Sequence, residues 1–182
     1  MAKLDPVLGP GSRRIIRLAD SAAGTTPEIV IDHWQLLRDD DPLPSLDALP
    51  VLVSLARLAR ERELLAARPG AFGAWVPGDA DPEAIAEAIA GLPLVAIEVP
   101  KFTDGRHYSL ARLLRERYGF AGELRAFGDV LPDQLFYMRR CGYTAFELKL
   151  GKSLETGLRT LAAFSVAYQA GADQGPLYRR RA

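Results

Sequence analysis

Between residues 51 and 170, short apolar runs alternate with stretches whose apolar positions recur at helical spacing. The runs at 51–55, 72–76, 94–99, 124–127 and 145–148 have the length of buried strands. Those at 56–68, 82–91, 110–118, 133–141 and 154–169 have the period of helices. Local signals punctuate this rhythm: Asp81 stands before Pro82 and Glu83 as a helix start does, Ser109 stands before 110–118 as a cap, and Gly91, Gly119, Gly142 and Gly171 mark helix ends. Upstream, 14–18 and 28–37 read as two short strands joined by a turn over 20–27. Residues 38–50, with three consecutive aspartates and three prolines, read as a solvated connector. The ends, 1–13 and 172–182, read as flexible.

Five consecutive strand-helix units imply parallel pairing through right-handed crossovers. Alternation inside the strands then says how the sheet is covered. Val95, Ile97 and Val99 form one apolar face of their strand and leave Ala96 and Glu98 on the other; Phe146 and Leu148 likewise oppose Ala145, Glu147 and Lys149. A sheet buried on both faces is apolar on both, so a small, charged face predicts helices outside and polar side chains within. The expected fold is therefore a single α/β domain, a partial-barrel or open parallel sheet with a short N-terminal strand pair. With neighbours in chain order, Arg125 would stand between Glu98 and Glu147 as an acid-base-acid ladder.

Composition narrows the classes of function. Lys plus Arg (23) balances Asp plus Glu (23), so no net field points to nucleic acid. No apolar stretch is long enough for a membrane span, and the first residues lack a signal-like core, which makes the cytoplasm the expected location. The one cysteine, Cys141, leaves no internal disulfide or thiolate-only metal centre, and His33 and His107 are too few for a histidine metal site. No phosphate loop or dinucleotide fingerprint is present, so no cofactor or metal is evident from the residues.

The densest chemistry lies at strand-to-helix junctions, where parallel folds gather their functional groups. The segment Pro100-Lys101-Phe102-Thr103-Asp104-Gly105-Arg106-His107-Tyr108-Ser109, with Arg112 one turn further, sets cations, a carboxylate, an imidazole and a phenol before a helix. It reads as a plausible anion cradle, although residue types alone favour an Asp-Gly turn with Ser109 as cap and solvated cations. At the next junction Asp129 can act as acid or base or position Lys101, and Gln134 follows at a helix start; turn and cap chemistry explain both as well. Glu98, Arg125 and Glu147 can simply satisfy one another. Cys141, at a helix carboxyl end, reads as structural despite Arg139 and Arg140.

The same Lys101–Ser109 segment, with Leu124-Arg125-Ala126-Phe127-Gly128-Asp129 and Asp133-Gln134-Leu135-Phe136-Tyr137-Met138-Arg139-Arg140-Cys141-Gly142, resembles a bacterial domain-of-unknown-function family. Its members are described in terms of an oxidoreductase role in sulfite reduction and are encoded beside assimilatory sulfite reductase and sulfonucleotide reductase. The resemblance is strongest from residue 95 to 148. Thr103 stands where the family favours a basic residue and His107 where it often has glycine, so a catalytic imidazole at His107 is not implied as a family mechanism.

What the resemblance implies is a pathway, assimilatory sulfate and sulfite reduction. The expected function is an accessory protein that binds a small anion, a sulfonucleotide or a partner reductase. Arg106, Tyr108, Ser109, Arg112 and Gln134 are the candidate binding residues, and Lys101, Asp104 and Asp129 the candidate catalytic ones. The alternative is an enzyme in its own right, either an oxidoreductase with a borrowed cofactor or a barrel-type lyase or isomerase.

Overall fold

The computed structural model describes residues 13–21, 24–44, 49–164 and 166–175. The expected flexible ends fall largely outside them. In chain order the elements are β1 (Arg14–Ser21), β2 (Gly24–Ile31), β3 (Gln35–Leu36), β4 (Val51–Ser54), α1 (Leu55–Ala66), β5 (Phe72–Pro77), α2 (Pro82–Ile89), β6 (Leu94–Val99), α3 (Arg106–Glu116), β7 (Glu123–Gly128), a 3-10 turn (Pro132–Gln134), α4 (Leu135–Arg140), β8 (Ala145–Phe146) and α5 (Leu154–Leu161). The strands form one mixed sheet in the order β2-β1-β8-β7-β6-β5-β4-β3, curled into a half-barrel.

The sheet is larger and less uniform than five strand-helix units. β3 joins β4 in parallel with no helix among the described residues between them, and β1 joins β8 antiparallel while pairing with β2 along its whole length. The expected turn at 20–27 is mostly strand. Thr25 and Thr26 favour the pleat, and Pro27 is tolerated because β2 is an edge strand whose 27th amide position faces away from β1. The second expected strand, 28–37, is broken: Asp32, His33 and Trp34 leave the ladder between β2 and β3.

The parity of the strands decides what each face meets. Val51, Val53, Ala74, Val76, Val95, Ile97, Val99, Leu124, Ala126 and Phe146 point outward into one core, together with Leu58 and Leu65 of α1, Ile85 and Ile89 of α2, Leu110 and Leu114 of α3, Leu135 and Met138 of α4 and Leu161 of α5. All five helices described thus cover the same face. The inner face holds a smaller cluster, Leu52, Leu94, Ala96 and Phe127, on which Trp34, Leu36 and Trp75 pack. Gly73 makes room for it, since a Cβ there would lie 2.5 Å from the Leu94 carbonyl oxygen and 3.3 Å from the Trp34 ring.

Beside these rings the inner face is ionic, but not as the ladder expected. Parallel register sets Arg125 opposite Ala96 and Ala145, and Glu98 opposite Phe127. Arg125 instead binds Asp32 at 2.9 Å and Glu123 at 2.8 Å, with the Arg125 and Asp32 side chains only 3% and 1% exposed. Arg13 reaches the other Asp32 oxygen at 2.9 Å and Glu147 at 3.1 Å, and also donates to the Trp34 carbonyl. Alternation predicts the face a side chain occupies; the partner on that face came from 93 residues away.

Two helices also differ from expectation. α5 ends at Leu161 rather than 169, because the chain turns back to α4: the Ala172 amide donates to the Arg140 carbonyl at 2.8 Å and Asp173 pairs with Arg139 at 3.3 Å. The expected helix 133–141 begins as the 3-10 turn and becomes α4, closed by Cys141 and by Gly142 at φ +103°. No helix among the described residues is long and apolar enough to cross a membrane.

Asp32 is the shared counter-ion of two largely buried guanidinium groups, so Asp32→Asn leaves each with one carboxylate. The expected cost is about 3 kcal/mol. It is measurable as a lower urea midpoint with an unchanged slope, whereas neutralising an exposed pair such as Arg112–Glu116 shifts the midpoint little.

Candidate functional site

Three junctions at the carboxyl ends of β6, β7 and β8 form one braced rim. Asp129 is the brace. Its Oδ2 accepts from the Phe102 amide at 3.1 Å and its Oδ1 pairs with Lys149 Nζ at 2.8 Å, tying the loop after β6 to the loop after β8. The Lys149 ammonium and the Phe102 amide hold the Asp129 carboxyl below its ordinary range. Asp129 therefore pairs with Lys149 and not with Lys101. Gln134 adds a second brace, donating to the Phe102 carbonyl at 2.8 Å and accepting from the Leu131 amide at 3.2 Å.

The start of α3 is set by Asp104. The helix begins at Arg106 with Gly105 as its N-cap residue, and Asp104 Oδ1 accepts from the Arg106 amide at 3.1 Å. Asp104 thus outcompetes Ser109, which lies exposed inside the helix and caps nothing. The same carboxylate takes the Arg106 guanidinium at 2.6 Å, and the other end of that guanidinium meets Asp79, from the loop after β5, at 2.7 Å. Hydrogen bonds from Arg106 lower the Asp104 carboxyl to about 2. Arg106 is correspondingly held protonated, chiefly by Asp104.

Behind this rim lies an aromatic stack. His107, 1% exposed, sits with its ring centroid 3.9 Å from that of Tyr108, which meets Tyr137 edge-on at 5.0 Å. The buried Tyr143 hydroxyl donates to the His107 carbonyl at 3.1 Å and lies 3.1 Å from His107 Nδ1. His107 Nε2, in contrast, is buried with no hydrogen-bond partner among the described residues. Burial depresses the His107 pKa from 6.5 to about 4. Burial likewise raises Tyr108, Tyr143 and the Cys141 thiol, which fits a structural part for Cys141.

Of the residues singled out in the sequence, Lys101, Asp104, Arg106, Tyr108, Asp129 and Gln134 belong to this rim or its support. Arg112 is exposed on α3 and pairs with Glu116 at 3.0 Å. Glu98, Arg125 and Glu147 lie on the inner face, where burial raises the Glu147 pKa. Reading the sequence missed Asp32, Asp79, Tyr143 and Lys149. Only Lys149 had a local signal, since it continues the strand beside Asp129's junction. Among the described residues no cluster of His, Cys, Asp and Glu could hold a metal ion. A groove of about 420 Å³ lies at the opposite end of β6 and β7, against Ile89, Leu92, Tyr118 and Phe120, with no charged side chain in its lining.

The molecule is thus an α/β half-barrel whose carboxyl-end loops are cross-braced into a rim. Residues 73–178 match the family described as bacterial protein of unknown function (DUF934), and the chain belongs to that family. The match spans every rim residue and leaves β1–β4 outside. No curated protein matches the chain.

The buried imidazole makes stability pH-dependent. Because the folded state depresses its pKa, His107 contributes fully above pH 6.5, and this contribution is lost as pH falls toward 4. Urea unfolding across that window should show His107→Asn losing less stability than the parent, by on the order of 2 kcal/mol.

Proposed function

We propose that this protein is an accessory protein of assimilatory sulfate and sulfite reduction that acts by holding a partner reductase on the braced rim. The pathway rests on the resemblance carried by residues 95 to 148. The choice of a protein partner over a small ligand rests on one observation: the carboxylates of the rim, Arg106 and the amide at the start of α3 are already committed to one another, and among the described residues only lysines at its margin are left without an ion pair. An oxyanion at the start of α3 would have to displace Asp104 from the Arg106 amide, and Arg106 already has two carboxylates. A carboxyl held near 2, as Asp104 is, makes a poor general base at neutral pH, and Asp129 is depressed as well. Such groups fix the shape of loops, and a fixed surface is what docking requires.

The test is a binding measurement on the full chain with purified sulfite reductase and sulfonucleotide reductase, beside calorimetry with sulfite, sulfate and adenylyl sulfate. One of the reductases should be retained and the small anions should give no heat. Asp129→Asn, which frees the two loops from their common brace, should weaken retention while the chain stays folded. Binding of neither reductase would overturn the proposal, and saturable heat from a small anion would replace it with the ligand reading.

A further inference from the structure

Large apolar side chains stand exposed on the same rim. Phe102 is 50% exposed, Leu150 63% and Tyr137 56%. The backbone of Phe102 is fixed by Asp129 and Gln134, and Leu150 tops the turn closed by the Lys152 amide on the Lys149 carbonyl at 3.1 Å, where Gly151 takes φ +81°. Tyr137 stands one helical turn from Gln134, against Tyr108. The loops that carry these side chains are therefore held by the polar braces and do not need to fold over them.

Lysine usage marks the same place. The described residues contain three lysines, Lys101, Lys149 and Lys152, and all three are exposed and lie on the two loops that Asp129 joins. Lys149 is paired with Asp129; Lys101 and Lys152 have no ion pair among the described residues. Arginine carries the internal pairs instead, at Arg13, Arg57 and Arg125, while the exposed Arg106 on the rim is neutralised by Asp79 and Asp104. Arginine suits fixed, bidentate partners, whereas lysine is a hydrated, mobile point charge suited to the wet margin of an interface. An apolar centre bordered by cations that have no ion pair of their own is the anatomy of a protein-binding patch whose complement is acidic.

We infer that Phe102, Leu150 and Tyr137 form the anchoring centre of a protein-binding patch, and that Lys101 and Lys152 steer it onto a partner surface where carboxylates border an apolar socket. The inference rests on the accessory reading above and specifies the chemistry of the partner's face. Anchors and steering charges act on different rates, which makes the parts separable. Truncating buried anchors speeds dissociation, while reversing marginal charges slows association and weakens its salt dependence.

The experiment measures association and dissociation of the full chain on the retained reductase at 50 and 300 mM salt. Phe102→Ser and Leu150→Ser should each raise the dissociation rate about tenfold. The double variant Lys101→Glu/Lys152→Glu should lower the association rate about tenfold at low salt and leave little salt dependence. Arg62→Glu/Arg60→Glu on α1 changes the net charge equally and should leave both rates unaltered. If the parent binds and the rim variants bind equally well, the patch is overturned while the accessory reading stands. If the parent binds neither reductase, both fall. Concentration-dependent dimerisation abolished by Phe102→Ser would assign the patch to a second copy and overturn the acidic partner.

Discussion

The carboxylate of Asp32 is the constraint on which the half-barrel depends. A curled sheet with helices on only one face must dispose of its inner face in some other way, and here the solution is partly aromatic and partly ionic. Trp34, Leu36 and Trp75 cover one region; Arg13, Arg125, Glu123 and Glu147 occupy the next, with Asp32 between the two guanidinium groups. Charges so far from water are stable only when each has a close counter-charge and hydrogen bonds. The backbone therefore cannot slip: a one-residue shift of β1, with β2 paired to it, against β8 would turn Arg13 away from Glu147 and Asp32 away from Arg125. The pairing specifies register as much as it contributes stability.

The outer face follows a simpler rule, and the two together fix the rim. Five helices packed on one side bring every strand-to-helix loop to the same edge, and glycine permits the close approaches there. A Cβ at Gly78 would lie 2.6 Å from the Glu98 carbonyl oxygen and 3.1 Å from His107 Cβ, so α3 settles directly against the end of β5. Gly128, at φ +100°, passes within 2.6 Å of the Val99 carbonyl oxygen by the same measure. With the loops brought this close, Asp129 and Gln134 can bridge them, and Arg106 can reach back to Asp79. The rim's rigidity is a product of packing beneath it.

Periodicity made much of this legible. The strands at 94–99 and 72–76, the Asp81 cap and the placing of Val95, Ile97 and Val99 on one face of β6 all follow from local pattern and agree with the structure, whereas the other face of β6 is more apolar than expected, with Leu94 and Ala96 under aromatic rings. The failures share a cause, which is competition decided at long range. Ser109 and Asp104 are both plausible caps, and the choice fell to the one that Arg106 and Asp79 support. The 154–169 stretch has helical spacing, yet the returning chain finds partners on α4. Glu98 and Arg125 occupy the predicted face but are offset by the register, and Asp32 has no local feature that announces a partner in β7. For the site, residue types marked the loops correctly while leaving open which groups bind and which brace.

The residues that match the family also show why the segment ahead of them matters. Arg125, Glu123 and Glu147 lie within 73–178, and Asp32 and Arg13 lie outside it. Without Asp32, Arg125 would be a 3% exposed guanidinium with Glu123 as its one carboxylate, and without Arg13, Glu147 would lose the cation that offsets its desolvation. Both would bear an uncompensated cost directly beneath β7 and β8, the strands whose loops carry Asp129 and Lys149. The matched segment holds the rim, but its inner face is electrically incomplete on its own. β1, β2 and the turn at Asp32 supply what it lacks, so the geometry of the rim depends on side chains at the far end of the sequence.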